Sequence, residues 1–203
     1  MNFLTDKSDN SRLPSVACLE AVVSQRIPYP SSIANESGLY GPLTNGQRIA
    51  RHLTSSVLEG VTAMSSALMR RGVLPPALRE LIIVRTGYHA GSRYEVIQHA
   101  SLAERLGVSR AKLEALAYVE PQGLDPKERA AIRFVDELLE RTRPRDEVLG
   151  EMNEYFGYPE IFEIIFVTGN WWTLARMLET AGIPLDEDRI GNHGVAPPSE
   201  GGA

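Results

Sequence analysis

The stretch from Arg79 to His99, RELIIVRTGYHAGSRYEVIQH, gathers side chains that can move protons. Ser92, Glu95 and His99 stand at i, i+3 and i+7, one face of an α-helix. Glu80 lies on the preceding helix, close enough in sequence to fold back against that face. An imidazole with an ordinary pKa of roughly 6.5 both gives and takes protons near neutrality, so a histidine beside carboxylates is proton-transfer equipment. His99, Glu80 and Glu95 are therefore the candidate catalytic residues. Ser92 and Tyr94 are the neighbouring hydroxyls that could hold a substrate.

The same letters have structural readings. Gly91, Ser92 and Glu95 spell a helix stop followed by a capping box. In it Ser92 bonds the amide three residues on, and Glu95 reaches back to the amide of Ser92. His99, flanked by Ile97, Ala100 and Ala103, fits a satisfied core histidine, and Tyr94 fits a packing aromatic. Glu80 interrupts the apolar run LIIV where helical phase buries it, and a buried carboxylate needs partners. His89 falls at a helix C-terminus, where the dipole favours a protonated ring. His52 and His193 have no supporting neighbours. His89, Glu95 and His99 lack HExxH-type spacing, so no metal site is assigned.

The elements that position these residues read as helices throughout. Thr44 with Gln47 and Ser56 with Glu59 are two capping boxes, giving helices over 45–53 and 56–71 with Gly72 ending the second. Pro75 and Pro76 open a helix that stops near Ala90, and the helix bearing His99 follows and ends at Gly107. Ser109 caps a short helix through Leu116. Asp125, Pro126 and Glu128 open one to about Arg143, with Ala130, Phe134, Val135, Leu138 and Leu139 at a 3.6-residue period. Asp146 starts another that ends at Gly157. The longest helix runs from Pro159 to Ala181, with Gly182 as its stop. It is apolar nearly all round, so it is central or lies in a subunit interface. No segment shows strand alternation, and the fold class is all-α. Residues 1–42 read as an irregular N-terminal arm with one short helix around Val16–Ser24, 43–185 as the helical domain, and 186–203 as a loose tail.

With 203 residues, a net charge of −5 and a single cysteine, Cys18, the chain suits one domain with a full core. The charge and the lack of a basic block argue against nucleic acid as the main partner. No apolar run is long enough for a membrane span. The N-terminus lacks a secretory pattern, which makes the cytoplasm the expected compartment. One cysteine also excludes an intramolecular disulfide framework and CxxC redox chemistry.

The run LRELIIVRTGYHAGSRYEVIQHASLAERLGVSRAKLEAL resembles the carboxymuconolactone decarboxylase family, which includes the alkylhydroperoxidase D-like (AhpD-like) proteins. Three pieces carry the likeness: a glutamate in an apolar helix, a tyrosine–glutamate pair, and a histidine leading into HAxxAxxxG. The later GNWWTLARMLETAGIP is similar to the family's closing helix. The resemblance covers roughly residues 43–185. It implies an AhpD-like helical bundle that assembles as a dimer, trimer or hexamer.

In the peroxidase branch the motif is CxxCxxxH preceded by a glutamate. Laid on this chain, the cysteine positions fall at Ser92 and Glu95, the histidine at His99 and the relay glutamate at Glu80. Thiol-dependent peroxide reduction needs a thiolate and a resolving thiol, which these residues do not provide. The decarboxylase branch lacks the cysteines too. That likeness implies a lyase or isomerase acting by acid–base chemistry on a small carboxylated or lactone substrate, without metal or organic cofactor. His99 would stabilise a developing enolate, and Glu80 or Glu95 would hold the proton. Arg85 and Arg93 are the local candidates to hold the substrate carboxylate, although each reads more readily as a surface or interhelix ion-pair residue. A non-catalytic, ligand-binding member of the family is the remaining alternative.

Overall fold

Capping signals and glycine stops divide the chain into eight α-helices among the described residues. The structure is a computed structural model that describes residues 12–13, 19, 24–31, 37–38 and 41–186. The helices are α1 (Asn45–Ile49), α2 (Ser55–Arg70), α3 (Pro76–Ala90), α4 (Arg93–Arg105), α5 (Arg110–Ala115), α6 (Pro126–Glu140), α7 (Asp146–Tyr155) and α8 (Tyr158–Ala181). A 3-10 turn, Ala50–His52, follows α1. The pairing of Ser37–Gly38 with Gly41–Pro42 is a two-residue antiparallel ladder that leaves the all-α class unchanged.

The capping boxes at Thr44–Gln47 and Asp125–Glu128 form as the sequence predicts. The one expected at Ser56–Glu59 does not. Helix α2 begins at Ser55 after Thr54, which makes no side-chain cap, and none of its residues is fully buried. The short helix expected around Val16–Ser24 and most of the 1–42 arm lie outside the described residues. The described parts of that arm are docked: Leu13 is buried and its amide bonds Ala117, and the amides of Arg26 and Ile27 bond the Ala181 carbonyl. Asp186, assigned from sequence to the tail, is anchored by bonds from Tyr94, Gln98 and the Asn45 amide. Residues 187–203 lie outside the described residues.

Helix α3 is the centre of the fold, packed against α4, α6 and α8. Every residue from Leu78 to Tyr88 is buried. Its Leu78, Ile82 and Ile83 face a core shared with α6, α7 and α8, while Leu81, Val84 and Tyr88 face one shared with α4 and α5. Sequence placed α8 at the centre or in an interface. The structure buries one stripe of it (Ile161, Ile164, Val167, Trp171, Ala175, Leu178) and leaves another open, with Tyr158 71%, Phe162 61% and Phe166 56% exposed.

Two glycines set how α4 returns along α3. Gly91 adopts φ 66°, a left-handed helix stop that carries little penalty without a Cβ. At Gly87 an added Cβ would lie 3.2 Å from the Val96 backbone nitrogen and 3.4 Å from Glu95 Cβ. That close approach brings Glu80 within reach of His99.

Candidate functional site

Glu80 from the second turn of α3 and His99 from the second turn of α4 meet in the seam between the two helices. Glu80 is fully buried, Glu95 and His99 nearly so. Glu80 Oε2 lies 2.7 Å from His99 Nδ1. Its other oxygen accepts from Arg79, with Nε at 3.2 Å and one terminal nitrogen at 3.0 Å. On the opposite side of the ring, His99 Nε2 is 3.3 Å from Glu95 Oε2. The structure therefore brings His99, Glu80 and Glu95 together, and both ring nitrogens of the buried His99 have partners, as the reading of a satisfied core histidine also requires.

Two further residues join them that sequence reasoning passed over. Arg79 is buried and devoted to Glu80. Trp171 from α8 donates its indole N–H to His99 Nε2 at 2.7 Å, with the rings edge-on at 90° and centroids 5.5 Å apart. Arg79 had a sequence signal, since it is the cation adjacent to Glu80 at the start of an apolar stretch. Trp171 had none, because within NWW nothing distinguishes the inward tryptophan from Trp172.

The candidate substrate-binding residues fare differently. Ser92 is a helix cap: its hydroxyl accepts from the Glu95 amide and also bonds the carboxylate of Glu179 on α8. The capping box stays half-made, because the Glu95 side chain turns to His99 instead of back to the Ser92 amide. Tyr94 is spent as well; its hydroxyl accepts from the Gly46 amide at 3.0 Å and donates to Asp186 at 2.7 Å. Burial and that bond to a carboxylate keep its proton on. Arg85 is far from a substrate role. It forks onto Asp136 and bonds the carbonyls of Leu116 and Tyr118, while His89 reaches the same carboxylate at 2.8 Å. His89 is thus an ion-pair partner for Asp136. Burial pushes the Asp136 carboxyl up, but the bonds and charges of His89 and Arg85 outweigh this and hold it below its ordinary value. Arg93 is exposed at the first turn of α4.

Charge around the triad is unbalanced towards carboxylates. Glu179, half-buried at the α4 N-terminus, adds a third to Glu80 and Glu95, against one guanidinium from Arg79. Burial and the Glu95 charge hold the Glu179 carboxyl up, despite bonds from Ser92 and the Arg93 and Tyr94 amides. For His99, burial alone would push the ring down. Bonds to Glu80 and Glu95 and their charges outweigh that and raise it to about 9. Because Trp171 can donate only to an unprotonated Nε2, this raised value belongs to a set that shares one proton.

The consequence for stability has a definite sign. An unfolded histidine titrates near about 6.5, so the folded set binds more protons from there up to about 9. Its contribution is fully present below about pH 6.5 and is lost as pH rises through about 9. Denaturant midpoints measured across that window should fall with pH in the wild type. In His99→Gln that slope should flatten.

Among the described residues, no group of three or more ligating side chains is arranged to hold a metal ion. No described helix is long and apolar enough to cross a membrane. A groove of about 260 Å³ between α6 and α8 is lined by Leu138, Leu139, Ile165, Thr168, Gly169 and Trp172, and none of the triad borders it.

Comparison with known proteins bears on the fold. Residues 56–137 match the model of the Carboxymuconolactone decarboxylase family. No curated protein matches the chain significantly. Among solved structures, an uncharacterized peroxidase-related protein from Silicibacter sp. superposes with TM-score 0.68 at 18% identity, covering 93% of this chain and 98% of that one. A protein from Ralstonia eutropha, described as an alkylhydroperoxidase AhpD core, gives TM-score 0.65 at 19% identity, covering 72% of this chain and 78% of that one. A debrominase gives 0.62 at 18% identity, covering 92% and 94%. Its cysteine-to-alanine variant was solved with 2,3,4-tribromopyrrole. At these identities the likeness establishes an AhpD-like helical fold.

Proposed function

We propose, from the carboxymuconolactone decarboxylase family region that residues 56–137 carry, that this protein is a cofactor-free lyase or isomerase of small carboxylated or lactone compounds. The observation behind this reading is the buried chain Arg79–Glu80–His99–Glu95, whose contacts run from 2.7 to 3.3 Å. Decarboxylation breaks a carbon–carbon bond and leaves its electron pair in an enolate. The carbon must then take a proton. An imidazole held between two carboxylates in a water-poor seam suits that delivery, because its charges are little screened. The carboxylates Glu80 and Glu95 serve as proton holders and His99 as the group they address. Arg79 keeps Glu80 oriented. Arg85 and Tyr94 are left out of substrate contact, since their polar atoms are already engaged. The debrominase bound to a halogenated pyrrole lends support, in that a fold of this shape can accommodate a small planar ring.

A purely ligand-binding role is the second reading, favoured by the indole of Trp171 occupying His99 Nε2, an atom that proton transfer would need. A thiol peroxidase is disfavoured despite peroxidase-related fold neighbours, since Ser92 and Glu95 occupy the motif's cysteine positions and the one cysteine, Cys18, lies outside the family-matched residues 56–137. The protein is expected to act in the cytoplasm as a homo-oligomer. The apolar stripe Tyr158, Phe162 and Phe166 on α8 is the surface that a second copy would cover.

The test is a screen of small lactones and unsaturated dicarboxylates, following carbon dioxide release and ultraviolet absorbance. Turnover is expected without added thiol or metal. Tight binding without turnover would instead favour the second reading, and dithiol-dependent peroxide consumption the third. Sedimentation of a stable monomer at micromolar concentration would remove the oligomer from the proposal.

A further inference from the structure

His99 Nε2 faces two groups at once, Trp171 Nε1 at 2.7 Å and Glu95 Oε2 at 3.3 Å. An indole nitrogen only donates. Accepting from it requires the lone pair on Nε2, which leaves the ring neutral with its hydrogen on Nδ1, aimed at Glu80. The Glu95 contact then needs a hydrogen on the glutamate, because two lone pairs repel. In the opposite arrangement an imidazolium donates from Nε2 to Glu95, and two N–H donors confront each other at the indole. Across Arg79, Glu80, Glu95 and His99 both arrangements carry the same net charge. The first contains one cation and one anion, the second two of each. With every member of the set buried, fewer ions mean less desolvation.

We propose that Trp171 is a positioning residue, whose indole N–H holds His99 as the neutral Nδ1–H imidazole and stations the site's mobile proton on Glu95. This rests on the acid–base reading above and sharpens it, making Glu95 the acid and His99 the group that hands the proton back. The groups facing the ring are Arg79 and Glu80 from α3, Glu95 from α4 and Trp171 from α8, with Glu179 of α8 acting on Glu95. In a decarboxylation the electron pair of the broken bond enters the enolate as carbon dioxide leaves. The enolate carbon then takes the proton of Glu95 while its carbonyl re-forms, and a solvent proton taken up at His99 Nε2 passes to Glu95, which restores both groups.

The experiment is nitrogen NMR on the full chain with labelled histidine, assigning His99 among the four histidines through His99→Gln. In wild type at neutral pH, His99 should show one protonated nitrogen, Nδ1, and one unprotonated, Nε2. Trp171→Phe keeps an aromatic ring but removes the donor. The proton should cross from Glu95, and both nitrogens should read as protonated. Adding Glu95→Gln to Trp171→Phe removes that proton and should return the ring to neutral. A wild-type ring protonated on both nitrogens would overturn the proposal, whatever the Trp171 variant does. So would a Trp171→Phe ring that keeps the wild-type signature. The spectra are read without substrate, which separates the two ideas. The expected tautomer with no turnover of any screened compound retires the enzymatic reading alone, and a wrong tautomer in an active enzyme retires the role of Trp171 alone.

Discussion

Turnover of a true substrate is expected to fall by about 10²–10⁴-fold in both His99→Ala and Glu80→Gln, about 3–5 kcal/mol of barrier. His99→Ala removes the ring and Glu80→Gln the carboxylate of the 2.7 Å bond between Glu80 Oε2 and His99 Nδ1, so the set loses its imidazole in one case and a proton holder in the other. Glu80→Gln keeps the shape of a fully buried side chain but leaves Arg79 facing a neutral amide, which costs stability as well. Turnover must therefore be normalised to folded protein and set beside the melting temperature. A catalytic pair loses rate far beyond what its melting shift explains. If both variants melt early yet keep their rate per folded molecule, Glu80 and His99 are structural.

The largest loss of stability without loss of chemistry is expected at Asp136. This carboxylate holds Arg85 through bonds of 2.7 and 2.9 Å and His89 at 2.8 Å, and the Arg85 side chain is 1% exposed. Asp136→Ala leaves that guanidinium with only the carbonyls of Leu116, Tyr118 and Val119. Stranding one member of a buried pair costs about 3–5 kcal/mol. In a chain of 203 residues that is a fall of about 6–20 °C in melting temperature. Replacing both partners, as Arg85→Met with Asp136→Leu, should recover much of it, since a fully apolar exchange leaves no charge behind. Activity per folded molecule should stay near wild type in both. A large drop in kcat for Asp136→Ala would return Arg85 to the substrate site.

Much of the fold could be read from local chemistry. Thr44, Ser109 and Asp125 mark helix starts, and Gly91 and Gly182 mark stops, because caps and left-handed stops are decided within a few residues. Where a cap signal failed, at Ser56–Glu59, the helix starts one residue earlier without a side-chain cap, and nothing buried on α2 enforced the choice. The spacing of Ser92, Glu95 and His99 on one helix face, and Glu80 as a carboxylate in an apolar run, likewise contained most of the triad.

The assignment of partners was decided in three dimensions. Arg85 and Tyr94 carry the right groups for a substrate, yet the polar atoms they meet belong to Asp136, Leu116 and Tyr118 in one case and to Asp186 and Gly46 in the other. Glu95 could cap its own helix or turn to His99; the buried seam and Ser92's bond to Glu179 settle that contest. Trp171 and Trp172 are adjacent and identical as letters, but helical phase puts one against His99 and the other beside the outer groove. Sequence by itself determined which residues can carry charge and protons and which faces are apolar, because those are properties of side chains and short-range periodicity. Tertiary structure alone decided which of those groups share a proton, because desolvation and hydrogen-bond complementarity act only once α3, α4 and α8 have closed around them.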